Sequence, residues 1–366
     1  MSTSQLTDLF NVAGQSPWLD NLKREYIVNG DFARVLSQGI RGLTSNPTIF
    51  QKAIQGSALY DEQFDKSIQR GLSTEDTYWE LVVSDIVGAL DIFAPLYVTS
   101  SGLDGYVSVE VSPSLAHDMS GTVKAAQELH DRIARPNVMI KVPATQACIP
   151  AIEEIISGGI NVNVTLIFGL DRYQEVMNAY IRGLQRLSKT NPSKVQDVAS
   201  VASFFISRVD SEIDKRLDGL GTDDALRLRG KAAIAQAKVA YEMFEKTFGG
   251  DVWPSLAKLG AQVQRPLWAS TSTKNPSYPD TMYVDELIGP HSVNTLPDAT
   301  MEAFSDHGTI AETITSNVEA ARAVLLALEG LGIDMTAVAD QLEAEGVVSF
   351  QQSFNDLLAV LEAKRK

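Results

Sequence analysis

The chain of 366 residues predicts an α/β fold, a single (β/α)8 TIM barrel spanning residues 1–366 as one domain, and three observations lead there. Short β-rich runs alternate with longer helical patterns through most of the chain, the order of a parallel sheet joined by crossover helices. Several of these runs are apolar on both faces, as strands covered inside and out must be. No internal repeat and no low-complexity linker divides the sequence.

The elements follow in order. A first, short strand is expected near Pro17 to Asp20 and a second from Ile40 to Ser45. Gln51 to Ser101 then holds two or three helices beyond a minimal barrel, between the second and third strands, with Ser73 and Asp76 at capping-box spacing. The third and fourth strands are Tyr106 to Val111 and Val138 to Val142, and a helix beginning at Thr145 stops at Gly158 and Gly159. After the fifth strand, Ile160 to Ile167, the residues Tyr173, Val176, Met177, Tyr180, Ile181, Leu184 and Leu187 fall on one helical stripe, with Asp171 placed as N-cap. Val198 to Ile206, Leu267 to Ser270 and Met282 to Val284 complete the eight strands. Lys231 to Phe248 and Thr309 to Leu328 read as helices. Met335 to Lys366 reads as additional helix on the barrel wall, ending in an exposed Lys364-Arg365-Lys366 tail.

Composition narrows the function. A formal net charge of −15 opposes binding to a nucleic-acid backbone, which needs clustered cations, while a few local cations in a cleft still suit a small anionic substrate. The one cysteine, Cys148, rules out an intramolecular disulfide and a Cys/His zinc cluster of the usual structural kind. It reads as a small packing residue. The start, MSTSQLTDLF, lacks a basic segment followed by an apolar run, and no uninterrupted run approaches the roughly 18 apolar residues of a membrane span. A soluble, unprocessed cytoplasmic protein is expected, with no nucleic-acid or membrane partner.

In a barrel the chemistry lies at the C-terminal ends of the strands, so polar residues interrupting apolar runs are the candidates. Lys141 sits in Val138-Met139-Ile140-Lys141-Val142-Pro143, where lost hydration favours the neutral amine that can attack a carbonyl. An unreactive lysine paired with an acidic neighbour fits this strand alone equally well. Glu110 within Val107 to Val111 and Asp20 at the end of Ser16 to Asp20 could supply the proton transfers of Schiff-base chemistry. Asn163 and Thr165, two apart, point to the same side of their strand. Ser203 and Arg208 at the end of the sixth strand, and Lys274 after the seventh, are the kind of hydroxyl and cations that hold a phosphate.

Taken together these segments resemble the transaldolase family of class I aldolase-fold enzymes. Thr44-Ser45-Asn46-Pro47-Thr48 looks like its T-[ST]-N-P signature, Val138 to Pro143 like its lysine-bearing strand, and Asn163-Val164-Thr165-Leu166 like its N-x-T-L segment. Trp268 to Thr271 is similar to the Trp-Ala-Ser-Thr of the longer bacterial, actinobacterial-type members. The resemblance implies Lys141 as Schiff-base nucleophile, Glu110 as proton carrier through a water positioned by Thr165, and Asp20 as acid/base for carbon-carbon cleavage. It further implies Asn46 and Asn163 on substrate hydroxyls with Thr44 and Ser45 close by, and Ser203, Arg208 and Lys274 on phosphate, Lys274 replacing an arginine of shorter members. No cofactor is implied; the partners are sugar phosphates, and monomer or homodimer stays open. A fructose-6-phosphate aldolase-like enzyme is the nearest alternative, though that group resembles a smaller barrel with tyrosine in the relay position. A non-catalytic sugar-phosphate-binding barrel is the other.

Overall fold

The computed structural model describes residues 4–365, so Lys366 of the expected basic tail lies outside the described residues. Seven strands form one parallel sheet: β1 (Gln15–Leu19), β2 (Val107–Glu110), β3 (Val138–Pro143), β4 (Val162–Ile167), β5 (Ser200–Phe205), β6 (Arg265–Ala269) and β7 (Ser292–Leu296). Their spatial order is β1-β7-β6-β5-β4-β3-β2. The two edges meet through Leu43, which bridges in parallel to Leu19 of β1 and to Val107 of β2. Around it, the Leu19 N–H donates to the Gly42 carbonyl and the Leu43 N–H to the Tyr106 carbonyl, each at 2.9 Å. The sheet therefore curls until both edges share one segment.

Two strand expectations need correction. Ile40 to Ser45 is shorter than expected: strand bridges form only at Leu43, although the Arg41 and Thr44 N–H groups also donate to the Pro17 and Leu19 carbonyls of β1, and a helix, Pro47–Gln55, follows. Met282 to Val284 is not a strand but part of a one-turn helix, Met282–Asp285, in which Thr281 donates its hydroxyl to Asp285 at 2.6 Å. The run is too short to cross the sheet, and Ser292–Leu296 takes the place between β6 and β1. That segment pairs along its full length with β1, from Gln15 opposite Ser292 to Leu19 opposite Leu296.

Most helices lie where periodicity puts them. Leu170–Thr190 buries the expected stripe from Tyr173 to Leu187, but its N-cap is Gly169, and Asp171 sits in the first turn where its charge favours the helix dipole. Ala232–Phe248 matches its expected span closely, whereas the helix expected from Thr309 occupies only Val318–Gly330. The Thr145 helix starts at Ile149 and ends at Ser157, with the positive φ taken by Gly159 rather than Gly158. Between Leu43 and β2 stand the helices Pro47–Gln55, Asp61–Gln69 and Thr74–Thr99. Ser73 caps the last of these, accepting the Asp76 N–H, while its hydroxyl donates to the Asp76 carboxylate at 2.6 Å.

Thr74–Thr99 is long and apolar enough to cross a membrane by length and composition. Here that apolar surface serves packing: Leu81, Val82, Ile86, Leu90 and Phe93 are buried, and Asp85 is ion-paired to Arg24 at 2.7 Å. The C-terminal helix, Met335–Lys364, corrects another expectation. It does not simply lie on the outer wall but crosses the C-terminal ends of the strands, where Gly346 packs against Leu166 and Ser353 meets Thr48 at 2.7 Å.

The opposite, N-terminal end of the sheet is tied by Asp104, which is fully buried. Its carboxylate accepts from Ser16 (2.8 Å) and Trp18 Nε1 (3.1 Å) on β1, Arg41 Nε (2.6 Å) before Leu43, and Arg265 (3.1 Å) on β6. One side chain thus joins segments far apart in sequence, and removing it would strand two guanidiniums in a low-dielectric site. Asp104→Ala is expected to cost about 3–5 kcal/mol of stability in urea denaturation.

Candidate active site

Parallel pairing sets the first layer of the site. Glu110 on β2 is opposite Lys141 on β3, which is opposite Asn163 on β4, so all three project to the same face. Lys141 is 5% exposed. Its Nζ donates to the Ser45 carbonyl at 2.9 Å and lies 3.4 Å from Glu110 Oε2. Burial is the leading influence on Glu110 and holds its carboxyl above the usual carboxylate range, against the opposing pull of Lys141. The Thr165 hydroxyl is buried without a hydrogen-bond partner, and Glu110 Oε2, also buried, makes no hydrogen bond beyond its 3.4 Å ion pair with Lys141. Two such oxygens beside a buried amine are the natural contacts of a bridging water.

Asp20, just beyond β1, forms the other carboxylate. Its Oδ1 accepts from the Thr44 hydroxyl at 2.8 Å, and the Thr44 oxygen also contacts Thr295 Oγ1 on β7 at 2.6 Å. Burial raises the Asp20 carboxyl, while Lys141, the Thr44 hydrogen bond and Arg208 lower it. A carboxyl raised in this way keeps a proton at higher pH and can both give and take one.

A cavity of about 120 Å³ at the strand ends is lined by Asp20, Thr44, Asn46, Lys141, Thr165, Ser203, Arg208 and Lys274 among others. The structure thus brings eight of the eleven sequence-selected residues to one opening. Glu110, Ser45 and Asn163 sit behind that lining. Ser45 spends its hydroxyl on the Ser108 carbonyl (2.7 Å) and serves the site through its own carbonyl on Lys141. Asn163 is fully buried, donating to Ser108 Oγ at 3.0 Å and accepting from Ser203 Oγ at 2.7 Å. Asn46 lines the cavity while its Oδ1 caps the Pro47–Gln55 helix by accepting the Ile49 N–H, which leaves its amide N–H donors for other partners.

Cations mark the far end. Among the described residues Arg208 makes no ion pair and no hydrogen bond, although burial is strong enough to lower its pKa. Lys274 donates to Ser272 Oγ at 2.6 Å, and its pKa is lowered by burial first and by Arg208 second. Two cations close enough to repel, without an ion-pair partner among the described residues, are what an anion would meet at this end of the cavity. The backbone is strained beside them: Leu166 and Ser270 have φ of 61° and 57°, outside the usual range of non-glycine residues. Leu166 lies where the β4–β5 register shifts, and Ser270 lines the cavity. Among the described residues no group of three or more His, Cys, Asp or Glu is arranged to hold a metal ion.

Sequence reasoning did not find Thr295 or Phe350, which also line the cavity. Thr295 had a usable signal: Ser292 to Leu296 is a β-prone run framed by Gly289-Pro290 and Pro297-Asp298. Phe350 had none, since nothing local says that a C-terminal helix crosses the strand ends. A larger groove of about 690 Å³, bounded by Phe168, Arg172, Gln236, Leu326 and Glu343, contains none of the selected residues. Size therefore does not identify the site, and convergent polar chemistry does.

Comparison with known proteins agrees with this arrangement. The family model described as transaldolase/fructose-6-phosphate aldolase matches residues 17–361. A transaldolase of Parafrankia sp. (strain EAN1pec) is 51% identical over 96% of this chain and 96% of its own. Transaldolase 1 of Streptomyces avermitilis is 49% identical over 94% of this chain and 92% of its own, and transaldolase 2 of Nostoc sp. is 46% identical over 96% of each. With a lysine, two carboxylates and two unpaired cations gathered at the strand ends, and with similarity over nearly its whole length, the chain belongs to the transaldolase/fructose-6-phosphate aldolase family.

Proposed function

We propose that the chain is a transaldolase of the pentose phosphate pathway, a cytoplasmic transferase acting on sugar phosphates, folded as one (β/α)8 domain with the Leu43 segment as its eighth strand. The observation that carries the mechanism is the buried Lys141 amine ion-paired with Glu110, with Glu110 and Thr165 oxygens that make no hydrogen bond of their own. Lys141 attacks the ketose carbonyl of sedoheptulose 7-phosphate, and Glu110, through a water held with Thr165, moves the protons that release water from the carbinolamine. Asp20 takes the proton from the hydroxyl whose carbon-carbon bond breaks, and erythrose 4-phosphate leaves. The three-carbon unit stays on Lys141 as an enamine until glyceraldehyde 3-phosphate accepts it, giving fructose 6-phosphate. Asn46 and Asn163, with Thr44 and Ser45, set the hydroxyl end of the substrate, and Ser203, Arg208 and Lys274 hold its phosphate.

Fructose 6-phosphate and borohydride should leave a reduced three-carbon adduct on Lys141, depleted when erythrose 4-phosphate is present, by peptide mass spectrometry. An adduct indifferent to the acceptor indicates a free aldolase, and no adduct on folded protein a non-catalytic barrel. Glu110→Gln should slow adduct formation by about 10²- to 10⁴-fold, the usual worth of a positioned acid/base, with the Tm little changed. Because the Lys274 pKa lies below its ordinary value, its charge disappears early as pH rises. The KM for fructose 6-phosphate should therefore climb with pH through that pKa in the wild type. Lys274→Arg, which stays charged, should flatten the climb, as read from KM–pH profiles.

A further inference from the structure

The cavity wall that comes from outside the strand-end loops is Phe350, at the middle of the C-terminal helix. It is 3% exposed. The Arg208 guanidinium carbon lies 5.9 Å from its ring centroid and 5.3 Å from that of Phe205, which follows Ser203 on β5. Both are within reach of cation–π attraction, which is strongest for a cation short of water. One turn earlier in the helix, Gly346 lies close enough that an added Cβ would be 2.9 Å from Leu166 Cδ2 and 3.6 Å from an Arg208 terminal nitrogen. The helix is thus seated on Arg208 through a glycine and an aromatic ring.

We infer that Phe350 is a positioning residue for phosphate capture: with Phe205 it fixes the otherwise unpaired Arg208 guanidinium at the cavity rim, making the C-terminal helix part of the selectivity for phosphorylated sugars. This rests on the assignment of Arg208 to phosphate made above. An arginine with no carboxylate partner and no hydrogen bond samples many rotamers, and a site that must order it on binding loses affinity to that ordering. The two rings lie near its guanidinium carbon and accept no hydrogen bond from it as a carboxylate would, so the arginine is ordered without its donors being spent on a counter-ion. A carboxylate in place of Phe350 would order Arg208 equally well but neutralise it.

The test is a double-mutant cycle between Phe350 and Arg208, read by the KM for fructose 6-phosphate and by inhibition with inorganic phosphate, with Tm as a check on folding. Phe350→Ala should weaken both readouts about three- to tenfold, with a smaller fall in kcat, and Phe350→Tyr should recover both. Phe350→Leu, which keeps an apolar wall and the helix seat but has no ring face, should behave like Phe350→Ala. It carries the test if the alanine variant does not fold. In an Arg208→Ala background the Phe350 changes should add nothing. If Phe350→Ala costs the same factor with and without Arg208, or leaves phosphate inhibition untouched while Arg208→Ala abolishes it, the positioning role is wrong and the phosphate assignment stands. If Arg208→Ala changes neither readout, the phosphate assignment itself is wrong and the inference goes with it.

Discussion

An ammonium or amine inside a parallel sheet is tolerable only where acceptors meet it, and the architecture follows from meeting that demand at Lys141. The neighbouring strand supplies Glu110 by register, and the Ser45 carbonyl supplies the hydrogen bond. Ser45 can do so because the sheet curls until Leu43 bridges both edges, which brings the Thr44 to Thr48 turn over the end of β2. The same curl puts Asp20 and Thr44 within hydrogen-bonding distance although they lie 24 residues apart. The curl that solves the burial problem also assembles the chemistry.

At the N-terminal end of the sheet Asp104 is fully satisfied by two arginines, a serine and a tryptophan, a closed network with nothing left to react. At the C-terminal end the polar groups are less complete: Thr165 Oγ1 has no hydrogen-bond partner, Glu110 Oε2 has its ion pair with Lys141 but no hydrogen bond, and Arg208 makes no ion pair among the described residues. Unsatisfied groups are costly when buried, so they persist where a water or a substrate meets them. The charge pattern follows the same logic. In a chain of net charge −15 the cations Arg208 and Lys274 converge at the cavity, where burial depresses both their pKa values and Arg208 further depresses that of Lys274.

Legibility in the sequence tracked how local the cause was. The apolar runs of β3, β4 and β5 and the stripe of Leu170–Thr190 announce themselves through side-chain period, and Lys141, Glu110 and Asn163 stand out as polar residues in such runs. Met282–Asp285 misled because four residues of β-prone composition carry no period, and the pairing that selects Ser292–Leu296 instead is made with β1, almost 280 residues earlier. Ser45 and Asn163 could be selected by motif, yet their side chains turn out to be engaged with neighbouring strands, a fact no motif encodes.

By itself the sequence determined the alternation of strand and helix and the α/β class, and it singled out the candidate amine, carboxylates and cations that the cavity gathers, since each is a property of residues a few positions apart. Tertiary structure alone decided which segment closes the sheet, which oxygens are left without hydrogen-bond partners, and that the Met335–Lys364 helix crosses the strand ends to place Phe350 beside Arg208. Those outcomes depend on contacts between segments tens to hundreds of residues apart, whose geometry is set by packing and not by any local pattern.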